Sequence, residues 1–403
     1  MPKVAAHSGA ASPVAVTGMG CICAAGNSPE RVWRAMRAGE RPLLPHSALG
    51  DGALPFPFCG IGEACFPGKR RHSAADTLAL AEYAARAALA RAQLPIGTME
   101  AAGVVLGTTA GSALHFIESY AAFKAGLSSG CSDRDDYFAA NLALALPIPA
   151  KGPRLTVTDA CTSGADALGL GMDLIRHGEC PCVICGGADA LSLVPHTGFA
   201  RLMIYDDRPC RPFDLRRKGL NLGEGGAVFV LESMEHAGQR GADIIGYLLG
   251  YGAGADAYHL TAPHPQGRGL ASALREALAE AALDARDMAF VNAHGTGTPD
   301  NDKVEGRTLA SMLPGVPVWA GKGCTGHTLG AAGALEALLS LVALTQGIVP
   351  CSPGFEQPDP ETMIRPTTEE APTRTPFALS TSLGFGGGNA ALLLGAVPGR
   401  EGA

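Results

Sequence analysis

Short apolar strands that pass almost directly into helices of small residues recur along this 403-residue chain, and that alternation restricts its fold more than any other feature. Val14-Ala15-Val16-Thr17-Gly18 reads as the first strand. After it, Ser28-Pro29-Glu30 supplies an N-cap, a first-turn proline and an acidic residue for the helix RVWRAMRAG. An alanine-rich amphipathic segment over 73–93 leads to the strand Gly103–Gly107. The strand Arg154–Thr158 runs into a glycine- and alanine-rich helix beyond Cys161, and Cys182–Cys185 gives another strand. Such alternation implies a sheet covered on both faces, a layered α/β protein. Fifty-four glycines and only 5% aromatic residues fit close backbone packing between layers.

The order restarts at DIIGYLLGYGAG. It continues through a helix near 269–282, the strand Ala289–Ala293 and a helix over 330–345, and ends in a hairpin, Phe377–Thr381 then Ala390–Leu394, turned through GFGGG. The chain therefore reads as two successive halves, 1–245 and 246–403, with no literal sequence repeat. The proline-rich stretch 350–376 reads as a wrapped loop, because an apolar strand follows it.

A net charge of −7 without any long lysine or arginine block argues against a nucleic-acid surface. MPKVAAHSGAASPVAVTG has no continuous apolar core of a secretory signal, and no apolar run reaches the roughly 18–20 residues of a membrane span, so the cytosol is the expected compartment. The twelve cysteines are scattered, and most read as buried small hydrophobes. Cys180, Cys182 and Cys185 lack the second ligand pair a structural zinc site needs, so no metal is expected.

Cys161 has a different setting. In Thr158-Asp159-Ala160-Cys161-Thr162-Ser163-Gly164 it stands where a β-branched strand meets a small-residue helix. There the helix macrodipole is expected to favour thiolate, and nearby backbone N–H groups can hold an oxyanion. His294, in Asn292-Ala293-His294-Gly295-Thr296-Gly297-Thr298, ends a strand beside a loop expected to be flexible and polar. His327 follows Gly321-Lys322-Gly323-Cys324-Thr325-Gly326 and precedes a second small-residue helix. Two histidines suit a malonyl thioester that loses carbon dioxide: charge develops on the thioester oxygen, and two neutral Nε2–H donors stabilise it better than one. A Cys–His–Asn triad for direct acyl transfer is the alternative, with Asn389 as third member; bracing the glycine turn is the role expected of Asn389.

VTDACTSGADAL, VNAHGTGTPDNDKVEG, GKGCTGHTLGAAGALEA and STSLGFGGGNAALLLG, in that order, resemble the elongating β-ketoacyl-acyl-carrier-protein synthases of the thiolase superfamily. The resemblance spans nearly the whole chain. It implies a five-layered αβαβα fold of two similar halves, usually dimeric as a homodimer or with a related subunit. It also implies acyl and malonyl groups delivered on the phosphopantetheine arm of an acyl carrier protein, with no other cofactor. Cys161 would carry the acyl group, and His294 and His327 would promote decarboxylation and condensation. Lys322 would organise charge near His327, held by Glu336. Thr296 and Thr298 would meet the pantetheine, and Phe385 would gate the pocket, its N–H completing an oxyanion hole with that of Cys161.

The chain departs from the family at Gly388, where a larger or polar residue is common, and at Gly323-Cys324, which bears on pocket shape. GLNLGEGG and TDACTSGADA resemble the aryl-polyene-type synthases. Two other classes stand as alternatives: a non-catalytic chain-length partner, against which the retained Cys161, His294 and His327 argue, and a biosynthetic thiolase, whose second cysteine near the final glycine turn this chain lacks.

Overall fold

A computed structural model describes residues 10–50, 53–62, 66, 74–109, 111, 124–126, 141–397 and 399. Twelve strands are found among them: β1 Val14–Cys23, β2 Gly103–Gly107, β3 Arg154–Val157, β4 Cys182–Asp189, β5 Gly225–Ser233, β6 Gly246–Ala255, β7 Met288–Asn292, β8 Val318–Trp319, β9 Ile348–Val349, β10 Ala371–Pro372, β11 Phe377–Leu383 and β12 Gly388–Ala396. Ten form one hydrogen-bonded sheet in the order β3-β2-β4-β5-β1-β6-β12-β11-β7-β8, while β9 and β10 pair separately.

That order is a palindrome of two equivalent halves. Taking β6, β7, β8, β11 and β12 as first to fifth, each half reads third, second, fourth, fifth, first from its outer edge. The senses match as well. In each half the two outer pairings are parallel and the two inner ones antiparallel. The halves join where β1 pairs with β6 over Val14–Leu248, Ala15–Tyr247 and Val16–Gly246.

Alternation along the strands separates the layers. On β5, Ala227, Phe229 and Leu231 enter a central apolar cluster, while Val228 and Val230 face an outer cluster built with the helix Ala74–Ala92. On β12, Leu392 and Leu394 enter the central cluster, and Ala391 and Leu393 face the helix Arg268–Ala281. The helices Ser163–Arg176 and Ala332–Thr345 fill the centre. Five layers result: outer helix, strands, central helix pair, strands, outer helix. The central pair is so enclosed that the helix Ala332–Thr345 is buried from Ala332 to Leu344. Truncating a side chain such as Leu338 would cost about 2–5 kcal/mol.

The expected elements are present with shifted ends. The Ala-rich helix runs Ala74–Ala92, and Ser73 lies outside the described residues. β3 stops at Val157, one residue short of the expected strand, because the chain turns there toward the cysteine. The last central helix opens as a 3-10 turn, Leu329–Ala331, before becoming α-helical at Ala332. The 350–376 loop contributes β10, which pairs with β9. The N-terminal residues 1–9 lie outside the described residues. No helix among the described residues is long and apolar enough to cross a membrane.

Candidate active site

Cys161 sits between β3 and the helix Ser163–Arg176 in a 3-10 turn, Ala160–Thr162. Ala160 takes a left-handed φ of +45° to make the corner. The corner is pinned: the Ala160 carbonyl accepts from Thr109 Oγ1 at 2.9 Å and from Ser163 Oγ at 2.7 Å, and the Asp159 N–H donates to Ser163 Oγ at 2.8 Å. The expectation of a thiolate at this position is corrected. Burial pushes the Cys161 thiol up to about 12; the nearby Lys322 charge and the Phe385 N–H, donated to the sulfur, oppose that without overcoming it. The resting group is a thiol.

His294 lies two residues past the end of β7 and is 1% exposed. The loop around it is tied down by buried carboxylates, which the sequence reading did not anticipate. The buried Glu305 carboxylate accepts the His294 N–H at 2.7 Å and the Gly295 N–H at 2.8 Å, and Thr381 Oγ1 donates to it at 2.8 Å. Asp302, one turn earlier on the helix Pro299–Met312, accepts the Gly297 N–H at 3.1 Å and the Phe213 N–H at 2.6 Å. Lys322 is paired with Glu336 and its charge acts on His327, as expected, but its hydrogen bonds go to the other histidine. Its ammonium donates to His294, at Nδ1 (3.2 Å) and at the carbonyl (2.6 Å), and not to His327; it is further paired with Glu336. Lys322 and Glu336 side chains are 1% and 3% exposed, so this is a buried pair. Burial raises the Glu336 carboxyl to about 7 against the pull of Lys322.

His327 is carried by a short stretch that pairs with Asn221–Gly223: its N–H donates to the Asn221 carbonyl at 2.9 Å, and its carbonyl accepts from Gly223 at 2.8 Å. Its Nε2 lies 3.1 Å from Cys161 Sγ, and its ring meets that of His294 edge-on with centroids 5.2 Å apart. Both imidazoles are held well below the ordinary histidine range, foremost by burial and then by Lys322. They stay neutral.

Glycines allow the approach. A Cβ on Gly164 would stand 2.6 Å from the Gly330 carbonyl oxygen, and one on Gly330 would stand 2.6 Å from the Thr109 nitrogen. The start of the cysteine helix and the turn after His327 therefore touch backbone to backbone.

A cavity of about 390 Å³ opens on these groups. Cys161, His294 and His327 line it together with Thr296, Thr298, Phe385, Gly388 and Asn389. Thr296 and Thr298 share a hydrogen bond of 2.8 Å between their hydroxyls. Phe385 stacks on Phe199 at 5.2 Å between centroids and is half-buried. It stands in the β11–β12 turn, where Gly386 and Gly387 take φ of +89° and +86°. Asn389 donates to the Gly387 carbonyl at 2.9 Å, as a brace of that turn. At Gly388 a Cβ would stand 2.8 Å from Asp159 Oδ2, which accounts for glycine there. Cys324 is fully buried in the central cluster and does not line this cavity.

Three buried carboxylates that organise the site went unread in the sequence. Glu305 and Asp302 lie three apart at the start of the helix following the His294 loop, a spacing that puts both on one face toward that loop. Asp189, at the end of β4, accepts from Thr108 Oγ1 at 2.6 Å, from the Thr109 N–H at 2.8 Å and from the Gly330 N–H at 2.7 Å. It ties the loop after β2 to the turn after His327.

Residues 65–237 match the N-terminal domain and residues 245–356 the C-terminal domain of β-ketoacyl synthases. The 3-oxoacyl-[acyl-carrier-protein] synthase 2 of Synechocystis sp. is 33% identical over 94% of this chain and 97% of its own length. The chain belongs to the β-ketoacyl synthase family. The ketoacyl synthase alpha subunit of the tetracenomycin polyketide synthase of Streptomyces glaucescens is 34% identical, over 94% of this chain and 96% of its own. Among solved structures, the ishigamide ketosynthase/chain length factor superposes with a TM-score of 0.85 at 30% identity, covering 96% of this chain and 100% of that one. A type II polyketide synthase acyl-carrier protein in complex with its ketosynthase gives a TM-score of 0.85 at 25% identity, with the same coverage. The synthase thus has the thiolase-like five-layered fold expected for it, and it is an acyltransferase-class enzyme.

Proposed function

We propose that this β-ketoacyl synthase joins an acyl group held on Cys161 to malonyl-acyl-carrier protein by decarboxylative Claisen condensation. The observation that carries the reading is the pair of neutral histidines meeting edge-on beside Cys161, one of them 3.1 Å from its sulfur. The Cys161 thiol attacks the acyl thioester, and its proton leaves with the departing carrier thiol. The Cys161 and Phe385 N–H groups receive the oxyanion. The malonyl thioester then occupies the cavity, its carbonyl oxygen facing Nε2–H of both rings. Loss of carbon dioxide leaves an enolate on that oxygen; the enolate carbon attacks the acyl carbonyl, the carbon–sulfur bond to Cys161 breaks, and the released thiolate takes one proton from solvent. Lys322 keeps His294 in the donor tautomer, and Glu336 holds Lys322. Thr296 and Thr298 receive the pantetheine arm, and Phe385 gates the acyl chain.

The partner reading is an acyl carrier protein, supported by the carrier-bound relative structure, and a second ketosynthase-like subunit, supported by the ketosynthase/chain length factor structure. We also propose a join between halves near residue 245, so that 1–245 supplies the nucleophile and 246–403 both histidines. The β1–β6 pairing and the gap between the two matched domains support it.

The test is mass spectrometry of the protein after incubation with a panel of acyl-carrier substrates. An acyl adduct on Cys161 that disappears on adding malonyl-carrier, with a two-carbon-longer β-ketoacyl carrier appearing, is expected. An enzyme that turns over with no adduct, or works on acetyl-CoA alone, would overturn the reading.

A further inference from the structure

Asp189 is 1% exposed at the end of β4, and no step of the reaction described above involves it. One of its oxygens, Oδ2, accepts two backbone N–H groups, that of Thr109 at 2.8 Å and that of Gly330 at 2.7 Å, while Oδ1 takes the Thr108 hydroxyl at 2.6 Å. Each of the two N–H groups leads to a different reacting side chain.

Toward the nucleophile the path is short. The Thr109 hydroxyl donates to the Ala160 carbonyl at 2.9 Å, and Ala160, at φ +45°, is the corner residue directly before Cys161. A non-glycine residue keeps that conformation only where its surroundings hold it. Toward the histidine, Gly330 stands three residues after His327, in the turn Leu329–Ala331. Glycine is required there, because a Cβ would stand 2.7 Å from Asp189 Oδ2 and 2.6 Å from the Thr109 nitrogen.

His327 depends on such backbone ties more than His294 does. Lys322 donates to Nδ1 of His294, whereas Nδ1 of His327 is buried with no hydrogen-bond partner among the described residues. The His327 ring is therefore placed by the chain that carries it, through the bonds of its own backbone to Asn221 and Gly223 and through Asp189 three residues on.

We propose that Asp189 is the positioning residue for the contact between Cys161 and His327, acting through Thr109 on the nucleophile side and Gly330 on the histidine side. That role rests on Cys161 as the acyl acceptor and on the paired histidines as the decarboxylating donors.

Three rates measured on the full-length protein test it: acyl adduct formed on Cys161 from acyl-carrier, carbon dioxide released from malonyl-carrier, and alkylation of Cys161 by iodoacetamide, which needs no carrier. Thr109→Val keeps the N–H held by Asp189 and loses only the hydroxyl, so it cuts the nucleophile side alone. It is expected to lower acylation at least about tenfold and to leave carbon dioxide release within about twofold, since a misplacement of about 1 Å can cost on the order of 10²-fold. Alkylation should fall at least about threefold, as the sulfur leaves the Phe385 and His327 N–H donors that favour its thiolate. Thr109→Ser, which keeps the hydroxyl, should match wild type in all three. Asp189→Leu removes the acceptor on both sides and should lower acylation and carbon dioxide release together, each at least about tenfold. Asp189→Asn keeps one oxygen for both N–H groups once the Thr108 hydroxyl turns to accept, and should recover most of both rates.

Thr109→Val lowering both rates alike or neither, Thr109→Ser failing to recover acylation, or Asp189→Leu sparing either rate would overturn the proposal. If Asp189→Leu does not fold, the Thr109 pair decides it. Alkylation that falls in Thr109→Val and not in Thr109→Ser, in a protein whose wild type forms no acyl adduct, would refute the acyl-carrying role of Cys161 and leave the positioning in place.

Discussion

The Lys322 ammonium donates to Nδ1 of His294 at 3.2 Å, and this bond fixes which nitrogen of the ring carries the proton. An ammonium has only hydrogens to offer, so Nδ1 must be the acceptor and Nε2 the N–H. A lysine in a dry site thus does for a histidine what a carboxylate does in a hydrolase, with the opposite tautomer: it aims a neutral donor, and it discourages protonation of the same ring.

The first prediction is a pH profile. Because both imidazoles are held well below their ordinary range, they remain uncharged as pH falls through 6.5. Carbon dioxide release from malonyl-carrier should show no acid limb near pH 6.5. Stability behaves otherwise: below that pH the unfolded chain takes up protons the native rings refuse, so the midpoint of denaturation should fall on acidification. An activity limb with its midpoint at 6.5 would contradict the account.

The second concerns the buried pair. Lys322→Met leaves Glu336 unpartnered in the core and should cost about 3–5 kcal/mol by chemical denaturation. Lys322→Met with Glu336→Leu should recover most of that stability while carbon dioxide release stays depressed, because the His294 tautomer is no longer set. A double variant as unstable as the single one would show that the pair is not what the core responds to.

How much of this was legible beforehand depended on whether the signal was local. Cys161 and His327 stand out because each sits where a strand or a glycine loop passes into a helix of small residues, and His294 because it ends a strand beside a loop rich in glycine and threonine. The hairpin through GFGGG was readable for the same reason. Glu305, Asp302 and Asp189 escaped notice because their partners are backbone N–H groups of other segments, and nothing near them in sequence marks a carboxylate as buried. The hydrogen bonds of Lys322 to His294 were invisible on similar grounds: His327 is five residues from Lys322 and His294 twenty-eight, so chain proximity disclosed the charge near His327 but not the bonds to His294. The thiolate expectation failed because a helix N-terminus can be read from sequence but the depth of burial cannot.

The third prediction follows from that burial. With the Cys161 thiol pushed up to about 12, inactivation by iodoacetamide should keep rising with pH through pH 9 without a plateau. A plateau at neutral pH would mean that a thiolate is already formed in the resting enzyme.

The fourth tests the glycine turn. Gly388→Ala brings a Cβ to 2.8 Å from Asp159 Oδ2 and should lower acylation of Cys161, measured as adduct formed per minute. Adding Asp159→Ser shortens the opposing side chain and should restore the rate. Failure of the second change to rescue the first would assign the defect to the turn's own conformation.

Carbon dioxide release from malonyl-carrier, followed in parallel with β-ketoacyl product in Cys161→Ala and His294→Ala, tests the division of labour most directly. Cys161→Ala should still release carbon dioxide while making no product, since both Nε2–H donors remain, and His294→Ala should lose about 10²–10³ of that release. Carbon dioxide release abolished in Cys161→Ala but intact in His294→Ala would contradict the claim that the paired histidines drive decarboxylation.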